Sequence, residues 1–244
     1  MRFKSKIKNI YFRIKRRIFP RLFTSDDMCK YLQENNIKVG KETKFFDAST
    51  TCIDAGRPCL LEIGEYCKIT AGVIILTHDY SRSVLRRVYG EILGEAKKTI
   101  IGNNVFIGMN SIILMGTQIG NNVIIGAGSV VSGIVRDNVV IAGNPARIVR
   151  TLEEHYEVRK KRTLQEGIQY AKTFYEYNKR IPTIKEMDPF FPLFLERNID
   201  VVNENNLTIR LSGDNYEEIV HDFLNTKPLF DGYEEFIKYC GLPI

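Results

Sequence analysis

The 244-residue chain has no tryptophan, only three histidines and only five cysteines. Each scarcity excludes something. The cysteines are odd in number and form no CxxC pair, so the sequence offers neither a disulfide framework nor a thiolate metal knot. Within residues 37–150 the single histidine is His78. A zinc site of the hydrolyase kind, which needs about three imidazole ligands, has no material there, and no metal is expected. No apolar run approaches the roughly 20 residues of a membrane-spanning helix. The amino terminus lacks the apolar core and small-residue cleavage site of a secretory leader. The expectation is a soluble or peripheral protein in a reducing cytoplasm, placed at the inner membrane face if it is peripheral.

Acidic residues are missing from residues 1–24, which hold nine of the 35 Lys and Arg (Arg2, Lys4, Lys6, Lys8, Arg13, Lys15, Arg16, Arg17, Arg21). The other 26 basic residues face 29 acidic ones, so the net charge of +6 belongs to one terminal segment. No basic face for nucleic acid is implied. Phe3, Ile7, Ile10, Tyr11, Ile14, Ile18 and Leu22 recur there at helical spacing. A basic amphipathic helix over 1–24 suits an anionic membrane surface. Packing against its own domain or a neighbouring subunit explains the same pattern equally well.

What the chain does have is a period of six. Five consecutive hexads open with Ile101, Ile107, Ile113, Ile119 and Ile125, and their fifth places are Val105, Ser111, Thr117, Val123 and Ser129. No helix has this period. It fits a short strand plus a turn, with the first-place aliphatics stacked inside a triangular prism and Gly or Asn at its corners. The register recurs upstream at Ile63, Ile69 and Ile75, with Val39 earlier still. Ile101 follows Ile75 at an offset of 26, not a multiple of six, so a loop over residues 79–98 must leave the prism. Such loops are usually functional. Residues 151–244 fall outside the repeat and read as a mostly helical annex, with helices after Thr151 and over 216–224 and 233–239, and a hairpin over 199–211 around Asn205-Asn206.

The run Ile74-Ile75-Leu76-Thr77-His78-Asp79-Tyr80, the hexads from Ile101 to Val131 and the closing Ala142-Gly143-Asn144-Pro145-Ala146-Arg147-Ile148 resemble the hexapeptide-repeat acyltransferases. The pattern is close to that of the galactoside, maltose and xenobiotic acetyltransferases and of capsule or lipopolysaccharide O-acetyltransferases. The resemblance covers about residues 37–150. It implies a mainly β fold: a left-handed parallel β-helix, assembled as a homotrimer with active sites between subunits. The expected organisation is an amphipathic helix over 1–24, a repeat domain over 25–150 and an annex over 151–244.

Acetyl transfer needs a base, donors for the thioester oxygen and a groove for coenzyme A. His78, at the edge of the excursion, is the residue best matched to proton removal at neutral pH, and it occupies the family's catalytic-base position. Asp79 is its neighbour and first candidate partner; Asp54 and Asp47, from an earlier coil, are rivals. Gly108, Gly126, Ala127 and Gly128 mark close backbone approach and supply candidate N–H donors for the oxyanion. The resemblance places Gly126, Ala127, Gly128 and Ser129 along the pantetheine arm of acetyl-CoA, Phe106 where relatives commonly carry tryptophan, and Arg147 and Arg150 near the coenzyme phosphates. Tyr80, Arg82, Arg86, Arg87 and Tyr89 in the excursion are candidates for holding a sugar-like acceptor. Gly72, Met109 and Gly133 depart from the galactoside-type pattern at acceptor and coenzyme positions, so the acceptor is not expected to be gripped as in those enzymes. The expected function is O-acetylation of a sugar or surface-polysaccharide precursor. Acetylation of a soluble aminosugar nucleotide or antibiotic, or a noncatalytic assembly module, are the alternatives.

Overall fold

The computed structural model describes residues 2–243, with the side chains of residues 2–9 and Arg21 outside that description; Phe3 and Ile7 of the expected stripe are among these. The chain divides into two compact units, residues 1–153 and 154–244.

The first unit is a three-faced prism of parallel strands. One face stacks Lys38–Val39, Leu61–Ile63, Thr99–Ile101, Gln118–Ile119 and Ile134–Val135. The second stacks Lys44–Phe45, Lys68–Ile69, Val105–Ile107, Val123–Ile125 and Val139–Ala142, closed by antiparallel Arg147–Thr151. Cys52–Ile53, Ile74–Ile75, Ile112–Ile113 and Val130–Val131 form the third. Successive hexads therefore visit successive faces, and 18 residues complete a coil: Ile101 pairs with Ile119, Ile107 with Ile125 and Ile113 with Val131. These aliphatics are all buried, as are the small or β-branched residues four places on. Buried hydroxyls among the latter need acceptors. Ser111 and Ser129 donate to the carbonyl of Gly126, and Thr117 to that of Leu114.

One corner requires left-handed backbone in every coil, and Asn104, Asn122 and Asn138 adopt it with φ of 53, 56 and 58°. Asparagine tolerates this region, and here the residues also link coil to coil: Asn104 Nδ2 donates to Asn122 Oδ1 (3.0 Å) and Asn122 Nδ2 to Asn138 Oδ1 (2.9 Å). At the neighbouring step Gly102 permits contact that a side chain would block, since an added Cβ would stand 2.5 Å from Gly120 O.

Helix α1 (Arg2–Ile18) and helix α2 (Ser25–Glu34) precede the first coil. Phe12 of α1 is buried edge-on against Phe23 and Tyr31, Lys15 pairs with Asp27 at 2.7 Å, and Arg16 donates to the carbonyls of Ser49 and Thr51. The opposite side leaves Ile10, Ile14 and Ile18 about half exposed, with Tyr11, Phe19 and Leu22. A shallow groove lined by Ile10, Ile14, Ile18, Arg13, Arg17 and Ser49 runs along it. α1 is thus docked on its own unit by one side and open on the other.

The excursion is not all loop. It contains helix α3 (Arg82–Tyr89), ended by Gly90 at φ 74°.

The second unit holds α4 (Leu152–Asn178, whose first residues belong to the prism unit), a 3₁₀ segment (Lys185–Leu193), α5 (Ile199–Glu204), α6 (Tyr216–Leu224) and α7 (Tyr233–Tyr239) around a core of Phe191, Phe194, Phe223, Phe230 and Phe236. In place of the hairpin expected over 199–211, residues 199–204 form α5 and the remainder has no strand. Asn198 caps the helix through Asp200 N–H, Val202 buries its face, and Asn205-Asn206 is the stop of a helix rather than the turn of a hairpin. Helices hold more residues than strands, so "mainly β" describes the prism and not the whole described chain.

Candidate active site

The site begins where the third-face strand Ile74–Ile75 ends. Ile63 and Ile101 are register partners although 38 residues apart, 20 more than one coil needs. The surplus is pinched off at a neck: His78 bridges antiparallel to Ala96, and Lys97 N–H donates to Thr77 O at 3.0 Å. His78 therefore sits on backbone anchored at the neck, and its side chain is 36% exposed.

Its Nδ1 lies 2.5 Å from Asp54 Oδ2. Asp54 is positioned by Ile53, whose strand pairs with Ile75 one coil later. The same oxygen accepts the hydroxyl of Thr77 and the Thr77 N–H (3.3 Å), while Oδ1 accepts Gly56 N–H (3.3 Å). Burial alone would push the Asp54 carboxyl up; the donors Thr77, His78 and Gly56 outweigh it and hold it below the ordinary carboxylate range. An anionic acceptor on Nδ1 puts the imidazole proton there and leaves Nε2 with its lone pair outward, the arrangement of a general base.

Asp79 turns elsewhere. Its Oδ1 accepts Ser81 N–H at 2.5 Å, chiefly for which its carboxyl is lowered, and it makes no bond to the ring. Asp47 is engaged by Ser49 (2.7 Å) and by the turn around Thr50. Sequence adjacency favoured Asp79. Register favours Asp54, because the residues after Ile53 and Ile75 meet on neighbouring coils.

The glycine-rich corner between the second and third faces has its own geometry. Three of the four candidate donors are already used by the inter-coil ladder: Gly108 N–H goes to Ile125 O, Gly126 N–H to Ile141 O and Gly128 N–H to Met109 O. Ala127 N–H has no partner among the described residues. It stands uncovered because residue 108 lacks a Cβ, which would lie 2.5 Å from it. Ala127 and Gly128 are exposed, whereas Ser129 is buried with its hydroxyl on Gly126 O and accepting Gly143 N–H (3.2 Å), so its side chain faces the prism interior. Phe106, Ile124, Val140 and Arg150 form an outward row on the second face, and exposed Arg147 flanks it on the closing strand.

In the excursion, Tyr80, Arg82 and Arg86 line a recess with Ser83, Ile92 and Leu93. The Arg82 guanidinium stacks 5.5 Å from the Tyr80 ring centroid and donates to Leu93 O. Arg87 and Tyr89 are exposed outside that recess. Among the described residues no cluster of three His, Cys, Asp or Glu could hold a metal ion, and no helix is long and apolar enough to cross a membrane.

The repeat has counterparts among known proteins. Residues 98–133 match the family model "Bacterial transferase hexapeptide (six repeats)". Protein CapG of Staphylococcus aureus is 38% identical over 165 residues, 68% of this chain and 91% of that protein. The putative acetyltransferase YvoF of Bacillus subtilis is 36% identical over 125 residues, 51% of this chain and 66% of that protein. A crystal structure of a hexapeptide-repeat-containing acetyltransferase from Vibrio cholerae, 20% identical, overlays 61% of this chain and 93% of its own with a TM-score of 0.48. With the repeat, the family model over residues 98–133 and the similarity to CapG over most of that protein in agreement, the chain belongs to the hexapeptide-repeat acetyltransferase family.

Proposed function

We propose that the protein is an O-acetyltransferase that moves the acetyl group of acetyl-CoA onto a hydroxyl of a sugar or surface-polysaccharide precursor. The observation that carries this reading is the Asp54–His78 pair, which fixes one imidazole nitrogen and leaves the other free at an exposed edge. His78 Nε2 takes the acceptor's proton as its oxygen attacks the thioester carbonyl, and returns it to the departing thiolate. Asp54 orients the ring and offsets its transient positive charge. Ala127 N–H is the backbone donor still available for the carbonyl oxygen. Phe106, Gly108, Gly126, Ala127 and Gly128 line the path for the pantetheine arm, with Arg147 and Arg150 for phosphate. Ser129 contributes to that path through the fold of the corner. Tyr80, Arg82 and Arg86 hold the acceptor, with Arg87 and Tyr89 at its margin.

The prism winds left-handed and works as a homotrimer in this reading, as membership of the family supports. The open face of α1 rests on an anionic membrane surface on the cytoplasmic side, supported by its half-exposed isoleucines and by a segment without a single acid. Lipid-linked sugars are then the acceptors nearest to hand. The test is His78→Ala assayed with acetyl-CoA against a panel of free, nucleotide-linked and lipid-linked sugars. Turnover should fall about 10²- to 10⁴-fold with coenzyme affinity retained. Wild-type turnover in that variant ends the assignment of the base, and transfer confined to soluble amines ends that of the acceptor.

A further inference from the structure

Among the described residues seven Ser and Thr side chains are fully or almost fully buried: Thr43, Thr51, Thr77, Thr99, Ser111, Thr117 and Ser129. Six of them solve the problem of a buried hydroxyl locally, by donating to a backbone carbonyl: Gly64 for Thr43, Asp47 for Thr51, Leu76 for Thr99, Gly126 for Ser111 and Ser129, and Leu114 for Thr117. Thr77 differs. Its hydroxyl donates to the Asp54 carboxylate, to the same oxygen that receives His78 Nδ1. Its backbone is fixed at both ends, with the N–H on that oxygen and the C=O on Lys97 N–H at the neck of the excursion.

We propose that Thr77 is a positioning residue of the acetyl-transfer reaction: it holds Asp54 Oδ2 at the point from which that oxygen dictates the orientation and tautomer of His78. The inference rests on the reading of His78 as the base. A carboxylate can rotate about its last bond, and an imidazole bonded to it through Nδ1 alone would follow. A second donor from a fully buried side chain removes that freedom, and a charge-assisted bond is the strong kind. Supplying the donor from the residue before His78 means that one segment of backbone carries both the ring and the clamp on its partner. The low carboxyl of Asp54, for which Thr77 is the largest favourable cause, agrees with this arrangement.

The test measures thiol release from acetyl-CoA with water as acceptor, so that no sugar need be known. Thr77→Val keeps shape, N–H and C=O and deletes only the donor; Thr77→Ser restores it. In Thr77→Val kcat should fall about ten- to hundredfold, the worth of a hydrogen bond to a charged group, with KM for acetyl-CoA unchanged. The downfield Nδ1 proton resonance of His78 should broaden or disappear. Thr77→Ser should stay within about threefold of wild type, as one hydroxyl replaces another. Should Thr77→Val fail to fold, Thr77→Cys, of similar size with a weak donor, should lie between the two in kcat. Wild-type kcat in Thr77→Val or Thr77→Cys overturns the proposal. So does a folded Thr77→Ser as impaired as Thr77→Val, which would assign the effect to packing. His78→Ala in parallel separates the levels: an inactive His78→Ala with an unaffected Thr77→Val removes only the role of Thr77, whereas an active His78→Ala removes the base itself.

Discussion

His78 Nδ1 and Asp54 Oδ2 are 2.5 Å apart across 24 residues of sequence, because the strand holding Ile53 lies directly beside the one holding Ile75. The pair is a product of coil stacking and not of local sequence. Asp54→Asn removes the charge and the fixed acceptor while leaving Thr77 and Gly56 in place. It should lower kcat about ten- to hundredfold with little change in KM for acetyl-CoA. The matching Asp79→Asn variant should keep wild-type kcat; steady-state kinetics on the two variants decide which carboxylate serves the ring.

Shortening the excursion between Ser81 and Glu95 while keeping the Thr77–Lys97 neck should abolish transfer to sugars. Slow hydrolysis of acetyl-CoA and coenzyme affinity should persist, because His78 is anchored by the neck and not by α3. Calorimetric binding of coenzyme A, run beside the transfer assay, separates the two. Joint loss of both functions with dissociated subunits would assign the excursion to assembly.

Deleting residues 1–9 should weaken sedimentation with vesicles of anionic phospholipid and leave binding to neutral vesicles negligible throughout, without altering kcat on a soluble acceptor. This truncation spares Phe12, Lys15 and Arg16, the residues that dock α1 on its own unit. Raising the salt should reproduce the effect in the intact protein, since surface electrostatics are screened over about 10 Å at 0.1 M.

Gly102→Ala should destabilise the prism by about 1–3 kcal/mol. The new Cβ would meet the backbone carbonyl of Gly120 at 2.5 Å, and a backbone atom in a continuous ladder cannot move without its neighbours. Thermal melting should show the loss as a lowered transition temperature.

In the second unit Glu186 is gripped by Arg180 through both oxygens (2.6 and 2.8 Å) and by Thr183 N–H (2.8 Å), which together lower its carboxyl from 4.5 to about 2. A depressed folded value means stability that is fully present above the unfolded value and lost as the pH falls through the folded one. Glu186→Gln should therefore melt below wild type at pH 7, by a margin that shrinks from about pH 4.5 downward and vanishes near pH 2. The ion pair is partly open to solvent, so the margin should also shrink in high salt; a pH-independent difference would assign the effect to packing.

From Ile101 to Val131 the prism was legible because its chemistry repeats, each buried aliphatic one hexad from the next, and the break in phase between Ile75 and Ile101 is where the excursion leaves. The identity of the carboxylate was not. Residues 45–62 follow the period loosely, with 24 residues rather than 18 between Val39 and its partner Ile63, so the register joining Asp54 to Thr77-His78 cannot be counted off. The state of the corner N–H groups was hidden for a related reason. Gly108, Gly126 and Gly128 advertise close approach in sequence, but whether that approach is made by the next coil or by a ligand depends on stacking. Helix α3 lacks a side-chain cap bond at Ser81 to announce it, and Asn205-Asn206 ends a helix with the same chemistry that turns a hairpin.

Because the excursion closes on itself before Thr99 resumes the first face, the coil above and the coil below keep their pairing whatever lies between Asp79 and Glu95. Length at that corner is decoupled from the core. Residues there can be lengthened, shortened or exchanged with no compensating change among the stacked isoleucines, so on the proposed reading the acceptor-holding segment can vary while His78, Asp54 and Thr77 stay where they are. If the excursion holds the acceptor as proposed, grafting this segment from a relative should change the acceptor and leave the prism's melting temperature unchanged.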